Sequence, residues 1–539
     1  MRIFCYLFTA TLLLLSCKTQ EKASQTVATT KAKSSDFREF RVLDSEYINR
    51  TSVFKDYQQQ IADFKNMDQY NDLILEKSIP ELQQAVYDGE LSYKTLTLFY
   101  LNRIYNYDRN NKKSLNTVIS LNPDALKQAI DYDLRIQENK RENIPFSPYT
   151  IMGMPVLLKD NINTAGMPTT AGAAALQYNQ TNDARLVSHL KENGAVILGK
   201  ANLSEWAYYF CGDCPSGYSA IGGQTLNPYG RRTMDTGGSS SGSGASIAAN
   251  FAVAAVGSET AGSILSPSSQ HSLVGYKPTV GSISGTGVVP ISSYLDTAGP
   301  MTKSVVDNAI LMQAMQTMDV VNQEMIKDLQ NASVKGKRFG VFPAFKSNPL
   351  YVSAIEKMQE LGATIIELEE RDLSLDGFIK LLNADMKRDL PSYFIGQAAP
   401  KYSDWDVQKV MDWNKTNDSL KTMPYGQRLF QGIIDETPVN DSEFYAFKTD
   451  LTTRAQDYYF FYTQTHNLDG FLSINNYSAA GAAIAMFPAM TVPMGYDEKG
   501  QPYGLTFIAP NEEDTLLYYW AAAYENATKH RKIPSNYKN

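Results

Sequence analysis

Two small-residue turns carry the hydroxyl groups with the most chemical potential. Thr236 to Ala245 reads Thr-Gly-Gly-Ser-Ser-Ser-Gly-Ser-Gly-Ala, and a helix-like stretch, Ser246 to Phe251, follows it. After a strand-like run, Val253 to Val256, comes a second turn, Gly257-Ser-Glu-Thr-Ala-Gly-Ser263. A Gly/Ser run alone is usually a linker, and a glycine-rich turn before a helix can also cradle phosphate. A linker is not followed by a strand and a second turn, and the Gly-Lys-Ser/Thr ending of a phosphate-binding loop is absent. Two such turns around one helix and one strand bring two backbones toward one place. A hydroxyl there becomes a nucleophile once a base takes its proton. Histidine is the usual base, but the four histidines are His189, His271, His466 and His530. Three lie in helix-like or polar surface contexts, and His271 follows a Ser/Pro turn as a structural residue would. A Ser-His-Asp triad is therefore disfavoured.

The block Gly237-Gly-Ser-Ser-Ser-Gly-Ser243, then Gly257-Ser-Glu-Thr-Ala-Gly-Ser-Ile264, then Gly275-Tyr-Lys-Pro-Thr279 resembles the amidase signature family. Upstream, Gly153-Met-Pro-Val-Leu-Leu-Lys-Asp-Asn161 resembles that family's lysine motif. Gly199-Lys-Ala-Asn-Leu-Ser-Glu-Trp206 and Gly223-Gln-Thr-Leu-Asn-Pro228 fit as well. The similarity runs from about Ile79 to about Ala527. Asp296-Thr-Ala-Gly-Pro-Met-Thr302, with Lys387-Arg-Asp-Leu390 and Met423-Pro-Tyr-Gly-Gln427, looks most like the bacterial peptide-amidase branch.

The resemblance implies a catalytic lysine at Lys159, a bridging serine after a cis peptide bond at Ser239, and an acylated nucleophile at Ser263. Ser239 and Ser263 stand 24 positions apart, as the family spacing requires. It further implies backbone oxyanion donors at Thr260, Ala261, Gly262 and Ser263, with Ser240 in support, and it implies no metal and no cofactor. Three positions depart from the wider pattern. Glu259 stands where Asp is common, Ala261 where Gly is common, and Leu265 where Arg is common. The first two change little, because the expected donors are backbone groups. Leu265 removes a cation that often holds a carboxylate, which argues against free amino acid substrates.

Physical chemistry makes sense of these residue types. An amide is a poor electrophile, so attack needs an activated hydroxyl and fixed donors for the tetrahedral oxyanion. Lys159 follows a buried-looking strand, where desolvation lowers its pKa toward a neutral amine. Neutral Lys159 takes the proton of Ser239, which takes that of Ser263, and the reverse path protonates the leaving nitrogen. Alone, Lys159 beside Asp160 would read as a salt-bridged lysine.

The elements that must position these groups follow from pattern. Ser78-Ile-Pro-Glu81 is a capping box with proline in the first turn, and Gly89 supplies the stop. Ser92 opens a second helix with Leu96, Phe99, Tyr100 and Ile104 at helical spacing, and Asp183 to Gly194 is a third, amphipathic one. Short apolar runs of buried-strand type recur at Val156–Leu158, Ala195–Leu198, Val253–Val256, Phe339–Phe342, Thr364–Leu368, Phe471–Ile474, Met490–Val492 and Leu505–Ile508. Strands alternating with helices predict an α/β body. With the resemblance, this becomes a single large mixed β-sheet covered by helices, spanning 78–535 behind a helical extension at 38–77.

Composition bounds the rest. The chain has 539 residues, 43% hydrophobic and 20% charged, with 50 Lys+Arg against 57 Asp+Glu. That balance excludes collagen-like, disordered and coiled-coil classes and lacks the basic excess of a nucleic-acid binder. Met1 to Ser16 carries Arg2 and then an apolar run shorter than the roughly 20 residues of a membrane span. It reads as a signal-peptide h-region ending in Leu14-Leu15-Ser16-Cys17, a lipobox-like sequence with Cys17 as the acylated residue. Residues 17–37, poor in large apolar side chains, read as a flexible tether. Cys211-Gly-Asp-Cys214 is a poor zinc site, and a disulfide, free thiols, and a redox or metal role all remain open.

The leading expectation is a lipid-anchored amidase of a bacterial envelope, acting on amidated peptides or similar organic amides and releasing ammonia. Its alternatives are a fatty-acid amide hydrolase and a non-catalytic amide-binding surface lipoprotein. An amidotransferase subunit acting on aminoacyl-tRNA fails on the export signal and on the missing basic surface. Contact with a membrane is expected only through the N-terminal lipid, and the oligomeric state is unknown.

Overall fold

An eleven-stranded mixed sheet forms the spine, in the order β1-β3-β2-β6-β8-β7-β12-β13-β11-β9-β10. The strands are β1 Val118–Leu121, β2 Pro155–Lys159, β3 Val196–Ala201, β6 Ala254–Glu259, β7 Val274–Lys277 and β8 Thr297–Thr302, then β9 Arg338–Val341, β10 Thr364–Glu367, β11 Gly470–Ile474, β12 Ala489–Tyr496 and β13 Pro502–Ile508. A separate two-stranded ribbon pairs β4 Tyr218–Ser219 with β5 Gly223–Gln224. This computed structural model describes residues 42–109, 111–510 and 512–538. The expected leader, tether and anchor residue Cys17 lie outside the described residues. Among the described residues, no helix is long and apolar enough to cross a membrane.

All eight apolar runs become strands, seven of them because a sheet covered on both faces buries its inner strands, while β10 is a partly exposed edge strand. β2, β3 and β6 are fully buried along their length. β2 lies parallel to both β3 and β6, so the carboxyl ends of β2 and β6 open into adjacent loops. Three sheet strands escaped the apolar-run pattern: β1, β7 and β8. β7 and β8 carry glycine or proline at internal positions, and a Cβ on Gly299 of β8 would lie 2.1 Å from the Tyr276 carbonyl. Close strand approach, not apolar composition, dictates those positions.

The helix expected after Ser78 runs Ile79–Asp88, with the reciprocal capping box of Ser78 and Glu81 and a left-handed Gly89 at its end. Ser92 caps Tyr93–Tyr107. The helix expected from Asp183 begins later, at Arg185, because the Asp183 carboxylate instead holds Lys191 and the Ala165 N–H. Residues 50–74 carry three short helices and one 3₁₀ turn. Two large apolar clusters make the core. One joins the sheet to the early helices, and the other contains Trp206, Phe210, Leu265 and Ile291 with the helices between residues 378 and 466.

Candidate active site

The Gly/Ser turn becomes helical five residues earlier than its composition indicates. The helix is Ser241–Ala248, not a stretch beginning at Ser246. Glycine is tolerated there because a Cβ on Gly242 would lie 2.5 Å from the Asn202 carbonyl oxygen. That contact seats the helix against the end of β3. Immediately before it, the Gly238–Ser239 peptide is cis, as the resemblance implied for this position. The Ser239 carbonyl accepts the Ser204 N–H at 3.0 Å, and the Ser240 N–H donates to the Ser263 carbonyl at 3.1 Å. These two bonds clamp the first turn between residue 204 and the second turn.

Lys159, the last residue of β2, has no solvent exposure. Its Nζ donates to Ser239 Oγ at 2.8 Å, to the Ser258 carbonyl at 2.9 Å and to Ser258 Oγ at 2.9 Å. Asp160, the neighbour that would make Lys159 an ordinary ion-paired lysine, turns away and pairs with Lys200 at 3.0 Å, both fully buried. Burial therefore acts on Lys159 with no contacting counter-ion and pushes its pKa down to about 7. The more distant Asp296 and Glu259 partly offset the fall.

Ser240, expected in support, knots the two turns together. Its Oγ donates to the Ser258 carbonyl at 3.1 Å and accepts the Ser258 N–H at 3.2 Å. Ser258, inside the second turn, is a functional residue that the sequence does not single out. Asn161, which the sequence likewise does not single out, donates to Ser258 Oγ at 2.9 Å. β2 ends at Lys159 and Asn161 lies in the turn that follows, where the Ile162 N–H bonds back to the Lys159 carbonyl, so the turn brings both side chains to Ser258.

Ser263 is half-buried, and its hydroxyl makes no hydrogen bond to the protein. No direct bond joins it to Ser239 Oγ. The backbone N–H groups of Thr260, Ala261 and Ser263 likewise have no protein acceptor. The nearby Glu259 carboxylate takes the Ile264 and Leu265 N–H groups at 2.7 and 3.0 Å, with the Gly262 N–H assisting. Gly262 has φ +93°, a conformation that glycine adopts without a Cβ penalty. The second turn thus presents a free hydroxyl and unpaired donors side by side. Leu265 is buried in the apolar cluster that holds Trp206 and Ile291, with half-buried Ala261 packed against it, so the side expected to be uncharged is apolar.

His271 is buried, and its Nε2 shares a hydrogen bond with Thr236 Oγ1 at 3.1 Å. Burial pushes its pKa down to about 3, as befits a structural histidine. Cys211 and Cys214 are joined as a disulfide with their Cα atoms 5.9 Å apart.

Comparisons with known proteins agree with this architecture. The amidase family model matches residues 95–446. A probable amidase from Arabidopsis thaliana is 34% identical over 86% of this chain and 92% of its own length. Among solved structures, an amidase family protein from Bacillus anthracis is 34% identical, with a TM-score of 0.82 over 91% of this chain and 99% of its own. The peptide amidase of Stenotrophomonas maltophilia is 35% identical, with a TM-score of 0.78 over 85% of this chain and 98% of its own. A buried lysine against two serine turns, on a mixed sheet that superposes on these structures, makes the family plain: the chain belongs to the amidase signature family and is an amide-bond hydrolase.

Proposed function

We propose that Ser263 is the acylated nucleophile, Ser239 the proton bridge and Lys159 the base of this amide hydrolysis. The observation that carries the reading is the contact of buried Lys159 with Ser239 Oγ at 2.8 Å, in a pocket where its pKa falls to about 7. A general base works best when its pKa lies near the operating pH. Lys159 Nζ accepts the Ser239 proton while Ser239 Oγ accepts that of Ser263, and Ser263 Oγ attacks the amide carbon. The Ser239–Ser263 bond closes in the substrate complex, since such bonds often tighten only there. The free N–H groups of Thr260, Ala261 and Ser263 serve the oxyanion, while the Gly262 N–H, implied as a fourth donor, is taken by the Glu259 carboxylate. The proton then returns from Lys159 through Ser239 to the leaving nitrogen, and ammonia departs from a primary amide. Water enters by the same relay and frees Ser263.

For substrate, we infer a C-terminally amidated peptide. Leu265 stands where an arginine is common and is packed into an apolar cluster, so that position offers no cation to a free carboxylate. The similarity to a peptide amidase supports the same choice. Measuring ammonia release from amidated di- and tripeptides, glutamine, asparagine and oleamide tests it. Higher kcat/KM for peptide amides is expected. A faster rate for oleamide would favour a fatty-acid amide hydrolase, and comparable glutamine turnover would refute the Leu265 argument. We further propose that the mature chain begins at lipid-modified Cys17 and is held at a bacterial envelope. Cys17→Ala should give lipid-free protein or block processing, and an unmodified mature terminus beyond Cys17 would contradict the anchor.

A further inference from the structure

The Asp296–Thr302 motif contributes a residue that the relay does not use. Asp296 stands just before β8, and its Oδ1 accepts the Thr260 hydroxyl at 2.5 Å. Its Oδ2 accepts the Ile291 and Ser292 N–H groups at 2.8 and 3.0 Å. Asp296 therefore ties the first residue of the donor turn to the loop 291–296. That loop is fastened in turn to the helices packed over the second apolar cluster. Buried Ser292 donates to Asp385 Oδ2 at 2.5 Å, on helix Phe378–Gly396. Asp385 pairs with Lys448 at 2.5 Å, on helix Asp441–His466. The Tyr294 hydroxyl shares a bond with Thr452 of that same helix at 2.8 Å.

We propose that Thr260 and Asp296 are positioning residues for the oxyanion turn, and that Ser292, Asp385 and Lys448 couple that turn to the two covering helices. The inference rests on residues 260–263 being the oxyanion turn. The Thr260 side chain faces Asp296, which leaves the backbone N–H groups of Thr260, Ala261 and Ser263 unpaired on the protein side. A carboxylate bonded by three donors holds its partner in one orientation, and a donor turn must be rigid before charge develops on it. Desolvation pushes the Asp296 pKa up to about 7, and its three donors oppose that rise by stabilising the carboxylate. Seating the covering helices then sets the pitch of the donors through one continuous chain of bonds.

The test compares Thr260→Val, Thr260→Ser and Ser292→Ala with Ser263→Ala, using whichever amide the wild-type chain hydrolyses fastest in the ammonia screen. A misaligned donor turn weakens transition-state binding more than substrate binding, so Thr260→Val should lose about tenfold in kcat with KM within about twofold. Thr260→Ser, which keeps the hydroxyl, should stay near wild type. Ser292→Ala, one bond further from the turn, should lose a smaller part of kcat with the same unchanged KM. Wild-type kcat in Thr260→Val, or equal losses in Thr260→Val and Thr260→Ser, would overturn the proposal. If Thr260→Val does not fold, Ser292→Ala decides, and an unchanged kcat there is fatal to the coupling. Turnover by Ser263→Ala would instead remove the underlying reading of the turn, so the two failures are separable.

Discussion

Lys159 Nζ donates to Ser239 Oγ at 2.8 Å across 80 positions of sequence, and no carboxylate touches the lysine. The contact exists because parallel β2 and β6 end side by side and the helix after Ser239 is seated against Asn202. A buried amine without a counter-ion is costly in its charged form, and the same circumstance makes it a base.

The pH dependence follows from that burial. With the Lys159 pKa near 7, the amine is protonated below that pH and cannot accept the Ser239 proton. The logarithm of kcat/KM should rise with unit slope up to about pH 7 and level off above it. Lys159→Arg should be inactive throughout, because a guanidinium stays charged. Rate measurements between pH 5 and 9 would read both, within that roughly four-unit window.

Stability should move against activity at the same residue. The folded chain sheds the Lys159 proton near pH 7, whereas the unfolded chain keeps it to about 10.5. Between those values the unfolded state binds more protons, so wild-type stability rises with pH, and the penalty is full below about 7. Lys159→Met removes the penalty. Its Tm should exceed wild type by roughly 5 °C at pH 6, with the gap shrinking toward pH 10. Calorimetry at the two pH values checks the sign.

The buried Asp160–Lys200 pair supports the end of the catalytic strand without joining the relay. Lys200 also donates to the Ile162 carbonyl at 2.7 Å and to Thr169 Oγ1 at 3.0 Å. Removing one partner strands the other charge, so Lys200→Met should cost about 3–5 kcal/mol in urea unfolding. A Lys200→Met, Asp160→Leu double variant should recover part of that loss.

Much of this is legible in the sequence. Apolar runs such as Ala195–Leu198 and Phe471–Ile474 became strands because complete burial demands unbroken hydrophobicity. The proposed relay residues were legible from motif order, and the lysine–serine contact agrees with that assignment. What escaped was whatever tertiary contact decided. Glycine and serine from Ser241 onward read as loop, yet packing against Asn202 makes them helix. β8 carries Gly299 and Pro300, and only the close approach of Tyr276 explains a glycine there. Ser258 was hidden for a different reason. Its role comes from Lys159, Asn161 and Ser240 converging on it, and no one-dimensional pattern shows convergence.

The central claim is that Ser263 carries the acyl group, and peptide mapping after reaction with a fluorophosphonate tests it most directly. Wild-type protein treated at pH 8 should carry one adduct, on the peptide containing Ser263. Labelling should slow by at least about a hundredfold in Lys159→Ala, and by a smaller factor in Ser239→Ala, where a water can stand in for the bridging hydroxyl. An adduct on another residue, or amide turnover surviving in Ser263→Ala, would contradict the account.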